Sequence, residues 1–262
     1  MKSIYNILLI GLAVGLFLGS CKEEPPQPPP AQTNPFDTIT NFQGLLIPST
    51  GKLNVKVTYS YGSSPLIFDK ELYANMGGDT FTISLIRHYL SNITLIGDNG
   101  KVNLNDYHLI NAEETPSTQF QINNVPAGVY KSVSAILGVD SLRNGSGLQE
   151  GALDPAYGMF WTWATGYIFF KFEGTTTKGI TFGTHVGGSK SIPVNTASLL
   201  DFKIKSTAPT ITFNINLKEM WMNPNIYSFV KDGHDVHSPA DPANLKILQN
   251  MQDMMTVTSI LQ

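Results

Sequence analysis

"KLNVKVTYSY", residues 52–61, decides the fold: Leu53, Val55, Val57 and Tyr59 alternate with Asn54, Lys56, Thr58 and Ser60. A period of two sends alternate side chains to opposite sides of an extended chain, so the segment reads as a strand with one buried and one wet face. Such a strand needs a second layer over its apolar side. "TITFNINLK", residues 210–218, repeats the pattern with Ile211, Phe213, Ile215 and Leu217 on one face.

Between these two lie further candidate strands at 80–87, 90–96, 101–110, 118–122, 129–138, 166–173, 178–186 and 199–205, separated by Gly, Pro and Asn turns. Asp98-Asn99-Gly100, between "ITLI" and "KVNL", predicts a tight hairpin, because Asn and Gly accept the positive φ that such turns demand. No strand–helix–strand rhythm is present. The pattern predicts an all-β chain, an antiparallel, immunoglobulin-like β-sandwich with a short C-terminal helix. That helix is read from "DPANLKILQNMQDMM", with Asp241 as N-cap, Pro242 at the first helical position, and Leu245, Leu248, Met251 and Met255 along one face. A shorter turn is expected near Lys218 to Trp221.

The N-terminus reads differently. Lys2, an apolar run from Ile7 to Leu18 and "LGSC" ending in Cys21, the chain's one cysteine, form a secretory signal with a lipoprotein cleavage box. The run is too short to cross a hydrocarbon core of ~30 Å. Residues 1–20 are therefore expected to be a signal peptide, and Cys21 the acylated N-terminus. Residues 21–50 make a Pro-rich tether of extended geometry, and residues 51–262 the folded domain. Lys22-Glu23-Glu24 resembles an export tag that sends lipoproteins to the outer face of the outer membrane. The expected location is the outer membrane, lipid-anchored, facing the periplasm or the cell surface. A net charge of −3 and a charged fraction of 14% exclude nucleic acid as a partner, which would need a basic face to neutralise phosphates. The membrane contact is the lipid anchor.

Catalytic signatures are missing. There is no G-x-S-x-G elbow, no thiol left after lipidation and no Gly-rich loop between strand and helix, so the chain reads as a non-enzyme. Asp140 and Asp154 read as loop caps, with Pro155 next in line. Metal binding has more support. His185, in "FGTHVGG", ends an apolar strand just before Gly187-Gly188, where backbone can approach a ligand closely, and is the first candidate ligand. His234 and His237, in "KDGHDVHSPADP" with Asp232 and Asp235, have a spacing that brings both imidazoles to one ion if the loop turns helically. Histidine with carboxylate suits zinc or copper. A solvated loop that merely contains two histidines is the alternative reading. His88 and His108 lie within strands and read as structural.

"GMFWTWATGYIFFKFEG", residues 158–174, concentrates Trp161 and Trp163 beside Met159 on one face of an extended run, an anchor for the core at ~25 cal/mol per Å² buried. An intact indole is a donor only and cannot ligate a metal. Opened by oxidation to an aryl amine, it could do so beside a histidine.

"HYLSNITLIGDNGKV", "DYHLIN", "VPAGVYKSVSAILGVDSLRNGSG", "GALDPAYGMFWTWATGYIFFKFEG", "THVGG" and "NMQDMM" follow one another in an order that resembles the MbnP-like domain, over about residues 52–258. The resemblance implies a β-sandwich and an exported copper-binding protein partnered with a di-haem cytochrome c peroxidase. It further implies a copper site that uses histidine, and a tryptophan that the partner oxidises to kynurenine to complete the site. On that resemblance Trp161 or Trp163 takes the tryptophan position and His185 the histidine position, with His234 and His237 as further candidates. Two departures stand out. The domain after Cys21 has no cysteine, where copper-binding members carry disulfides, and Asn144-Gly145 stands where an Asn-His pair is usual. Two functions follow: copper acquisition or delivery, and a structural or interaction lipoprotein that keeps the fold without the site.

Overall fold

The computed structural model describes residues 39–40, 46–47, 50–188, 192–193, 197–205 and 208–261. The expected signal peptide, Cys21 and the tether prolines lie outside the described residues. The strands used below are β1 (Thr50–Tyr61), β2 (Thr80–Gly97), β3 (Gly100–Asn103), β4 (Tyr107–Asn111), β5 (Gln119–Pro126) and β6 (Gly128–Leu137). They continue with β7 (Gly166–Thr176), β8 (Thr181–Gly187), β9 (Ala197–Ile204), β10 (Thr210–Asn216) and β11 (Met255–Leu261), and helix α1 is Pro242–Asn250.

The alternation in β1 is realised as read: Leu53, Val55 and Val57 are buried and Tyr59 packs against them from the strand's end. In the smaller sheet β1 pairs antiparallel with β5 on one edge and parallel with β10 on the other, and β11 lies antiparallel beyond β10. The larger sheet is organised by β2. One edge of β2 is taken by β7 over 81–88 and then by β6 over 90–96, while the other is taken by β4 over 87–91 and β3 over 94–97. β8 continues the sheet beyond β7, and β9 continues it beyond β6. The partner exchange near Tyr89 and Leu90, with a bulge beside the left-handed Asn92 (φ 51), lets one long strand serve two divergent halves.

The chain is thus mostly β, with two curled sheets and a short C-terminal helix, as the periodicity predicted. The sheets are mixed, however, which corrects the antiparallel expectation: β1 pairs parallel with β10, and β8 pairs parallel with Asp235–Val236. Side chains alternate with the same period in both kinds of ladder, so period alone cannot distinguish them.

The shared core is strongly aromatic. Phe81 meets Phe229 edge to face at 5.2 Å, and Trp221 sits 5.2 Å from Phe172 and 5.1 Å from Phe229. Tyr59 of the smaller sheet hydrogen-bonds His88 of the larger at 2.8 Å, and the His88 ring stacks on Phe170. In α1, Asp241 caps Ala243 N at 2.8 Å as expected, yet Leu245 is exposed and the residues turned inward are Ala243, Asn244, Ile247 and Asn250. Asn244 exchanges hydrogen bonds with the backbone of Gly187, and Asn250 exchanges them with the backbone of Asn225 and donates to Met220 O. A helix whose buried face carries amides in this way escapes a reading based on apolar spacing. Met255, read as helical, begins β11.

Candidate metal site

β7 turns Phe170 and Phe172 into the core, so Lys171 and Glu173 point the other way. His185 stands opposite Lys171 in the β7–β8 register. From that position His185 Nε2 reaches Glu173 Oε1 at 2.9 Å, and Lys171 Nζ approaches the same oxygen at 3.5 Å. The short parallel pairing of Gly183 and Thr184 with Asp235 and Val236 then delivers His237 alongside. The His185 and His237 rings meet edge to face with centroids 4.2 Å apart. His237 Nε2 lies 2.5 Å from Asp235 Oδ1. Gly183 makes room for this: a Cβ there would stand 3.3 Å from His237 Nε2.

Each imidazole therefore has its Nε2 on a carboxylate. An ionised carboxylate only accepts hydrogen bonds, so in His185 Nε2 is the protonated nitrogen and Nδ1 of the neutral ring keeps its lone pair. Burial holds the His185 pKa below its ordinary value despite the raising influence of Glu173, so the ring is neutral, the ligating form, at neutral pH. Glu173 is pulled the opposite way by burial, but the hydrogen bond from His185 and the Lys171 charge outweigh it and hold the carboxyl below its usual range. A carboxylate that orients an imidazole through the nitrogen remote from the metal is a recurrent support in metal sites. Among the described residues no three His, Cys, Asp or Glu side chains group closely enough to hold an ion.

The other expected residues lie elsewhere. His234 contributes its backbone carbonyl, which accepts from Gly183 N at 2.9 Å, while its side chain is exposed; the ring that His237 meets is that of His185. Trp161 and Trp163 sit on the arm Phe160–Thr162 and the turn that joins it to β7. An irregularity between Phe160 and Thr162 breaks the alternation, so Met159 is fully buried, Trp161 partly buried and Trp163 70% exposed. The two indoles do not share a core-facing side, which corrects the expectation of a joint anchor. The Trp163 ring instead lies over Gly147, where a Cβ would come within 2.0 Å of it. Tyr167 of β7 pairs with Phe160 in the tryptophan arm, whereas Lys171 pairs with His185. Four residues at ~3.3 Å each put about 13 Å between these positions. The tryptophan turn and the histidine pair are separate features.

Asp140 and Asp154 are caps, accepting from Arg143 N at 3.1 Å and Ala156 N at 2.8 Å. His108 is held by Asp106 at 2.9 Å and stacks on Phe120. Asn144 is buried; its Oδ1 accepts from Tyr167 N at 2.7 Å and its Nδ2 donates to Gly188 O at 2.5 Å, bolting the start of β7 to the end of β8. Sequence spacing had no signal for the contribution of Glu173 or for the His185–His237 contact, because both depend on strand register.

Residues 50–238 match the family model described as MbnP. Among solved structures the chain is similar to MbnP from Methylosinus trichosporium, with 13% identity, 79% of this chain and 98% of that chain covered, and a TM-score of 0.47. No curated protein matches.

Proposed function

The chain belongs to the MbnP family, and from that premise we propose that it is a lipid-anchored envelope protein that binds copper through His185 and His237, for acquisition or delivery. The observation that carries this reading is the contact of two imidazoles, each with Nε2 on a carboxylate. Ring nitrogens lie about 1.2 Å from their centroid, so rings 4.2 Å apart can bring two nitrogens within the roughly 4 Å that two metal–nitrogen bonds of about 2 Å span. Imidazole is a good copper donor. Two nitrogens leave coordination positions for a further ligand. The anchor is Cys21, the location the outer membrane, and the partner a di-haem peroxidase. Oxidation of Trp161 or Trp163 by that partner would act on a turn remote from the histidines, so the pair binds copper without it.

Copper titration of the full chain in detergent tests this. Native protein should take up one copper, His185→Ala and His237→Ala should each weaken binding at least tenfold, about 1.4 kcal/mol, and His234→Ala should change little. A native chain that takes no copper, or a His185/His237 double variant that binds as well as native, refutes it. Peptide mapping by mass spectrometry on the same sample reads the state of both tryptophans. The second reading, an interaction lipoprotein that keeps the fold without copper, is favoured by the lack of a third ligand among the described residues. It would be left standing by the negative result.

A further inference from the structure

We propose that a cleft on the outer face of the larger sheet binds a neutral saccharide. The cleft has a volume of about 830 Å³ and lies on the opposite side of the sheet from the buried Ile93, Leu95 and Val133. Its floor is a row in register across three strands: Ser134 of β6, Thr94 of β2 and Asn103 of β3. Adjacent strands lie ~4.8 Å apart, so the row spans about 10 Å. That is the length of two pyranose rings, presented to a hydroxyl and amide grid of matching pitch.

The wall is built by Tyr107 and the turn 140–146. Asp140 accepts from Asn92 Nδ2 at 3.0 Å and from the Tyr107 hydroxyl, besides capping Arg143. Arg143 donates to Gln149 at 2.9 Å, and its guanidinium lies over the Tyr107 ring. Both charges in the cleft are thus engaged by the protein itself, which favours an uncharged ligand over an anion or a cation. The floor keeps capacity to spare. The Ser134 hydroxyl and the Asn103 amide N–H make no hydrogen bond with the described residues, and Asn103 Oδ1 accepts only from Asn105 N, at 2.7 Å. Leu142, 82% exposed at the rim, offers an apolar surface to the C–H face of a sugar.

An extended peptide fits less well. Peptides on sheets gain affinity by adding a strand to an open edge, and here both edges of β2 are already paired beside the cleft. A ligand must be read by side chains alone, the way a polyhydroxylated ring is read.

Saturation-transfer NMR with the full chain in detergent, against cellohexaose, maltohexaose and xylohexaose, tests the proposal. At least one should bind saturably, and Asn103→Ala and Ser134→Ala should each weaken it, the pair together about tenfold, as expected for two lost hydrogen bonds. His185→Ala should leave it unchanged. Neither substituted residue is in the core, and an unchanged urea midpoint confirms that each variant folds. The proposal falls if none of the three saccharides binds, if the double variant binds as well as native, or if an uncharged hexapeptide occupies the cleft in preference.

Discussion

Trp221, not Trp161 or Trp163, should be the tryptophan on which stability depends. It is fully buried among Phe81, Phe172, Tyr227 and Phe229, whereas Trp163 is 70% exposed. Truncating a buried tryptophan to alanine removes its transfer free energy and leaves a cavity in a rigid aromatic cluster, at a cost of about 3–5 kcal/mol. Trp221→Phe is the discriminating variant. It gives up roughly 40 Å² of burial, ~1 kcal/mol at 25 cal/mol per Å². The indole N–H, however, is buried with no acceptor among the described residues, and removing it relieves a desolvation penalty of about 1–3 kcal/mol. The two opposing contributions put Trp221→Phe between native stability and about 2 kcal/mol above it. Trp163→Ala should cost under ~0.5 kcal/mol, as for a surface substitution. Urea unfolding followed by circular dichroism reads all three. With a slope of about 2 kcal/mol per M, Trp221→Ala should lower the midpoint by roughly 2 M and the others by no more than about 0.5 M. A Trp163→Ala loss equal to that of Trp221→Ala, or a Trp221→Phe loss near that of Trp221→Ala, would refute this division of roles.

Acid should weaken the fold through His88, whose pKa burial pushes down from 6.5 to about 4. Between those values the unfolded chain binds the proton and the folded one does not, so stability is complete above about pH 6.5 and falls as pH drops toward 4. Urea midpoints at pH 7 and pH 5 should differ for native protein and differ less for His88→Gln; equal slopes would count against the assignment. Gly166→Ala should destabilise by more than ~1 kcal/mol, since Gly166 has φ +77 and an added Cβ would stand 2.3 Å from Asn144 Oδ1. Thermal melts check this, and a neutral result would mean that the Asn144 bolt gives way cheaply. Asn250→Ala should cost about 2–4 kcal/mol, because its fully buried amide accepts from Asn225 N and donates to Met220 O and Asn225 O, and its loss strands those groups. A cost below ~1 kcal/mol would show that water replaces the amide.

Elements with a local cause were legible in the sequence. β1 and β10 declared themselves by alternation, the β2–β3 hairpin by Asp98-Asn99-Gly100, and the start of α1 by Asp241-Pro242. Elements settled by tertiary context were not. The runs at 80–87 and 90–96 are one strand, because Tyr89 and Leu90 are buried and keep the chain extended through the partner exchange. The run at 101–110 is two strands, parted by Asn105 in a left-handed conformation. Met255, the first residue of β11, reads as the end of the helix because methionine has no strong strand preference, and it is the pairing with β10 that makes it a strand. The candidate site divided along the same line. His185 and His237 could be named as donors from their residue types, but the contact between them needs Gly183 opposite Asp235, a register no spacing encodes.

The parallel union of β1 and β10 also sets an order in time. β1 gains its first neighbour once residue 126 exists, but its other edge waits for a strand that begins about 150 residues later than its own first paired position. Closing so long a loop is entropically slow, and its cost is met only when the whole ladder forms at once. A nascent chain that stops short of Asn216 therefore carries β1 half-satisfied, with an unpaired row of backbone donors and acceptors. The smaller sheet therefore cannot close until the chain has been made through Asn216, however early β1 itself emerges.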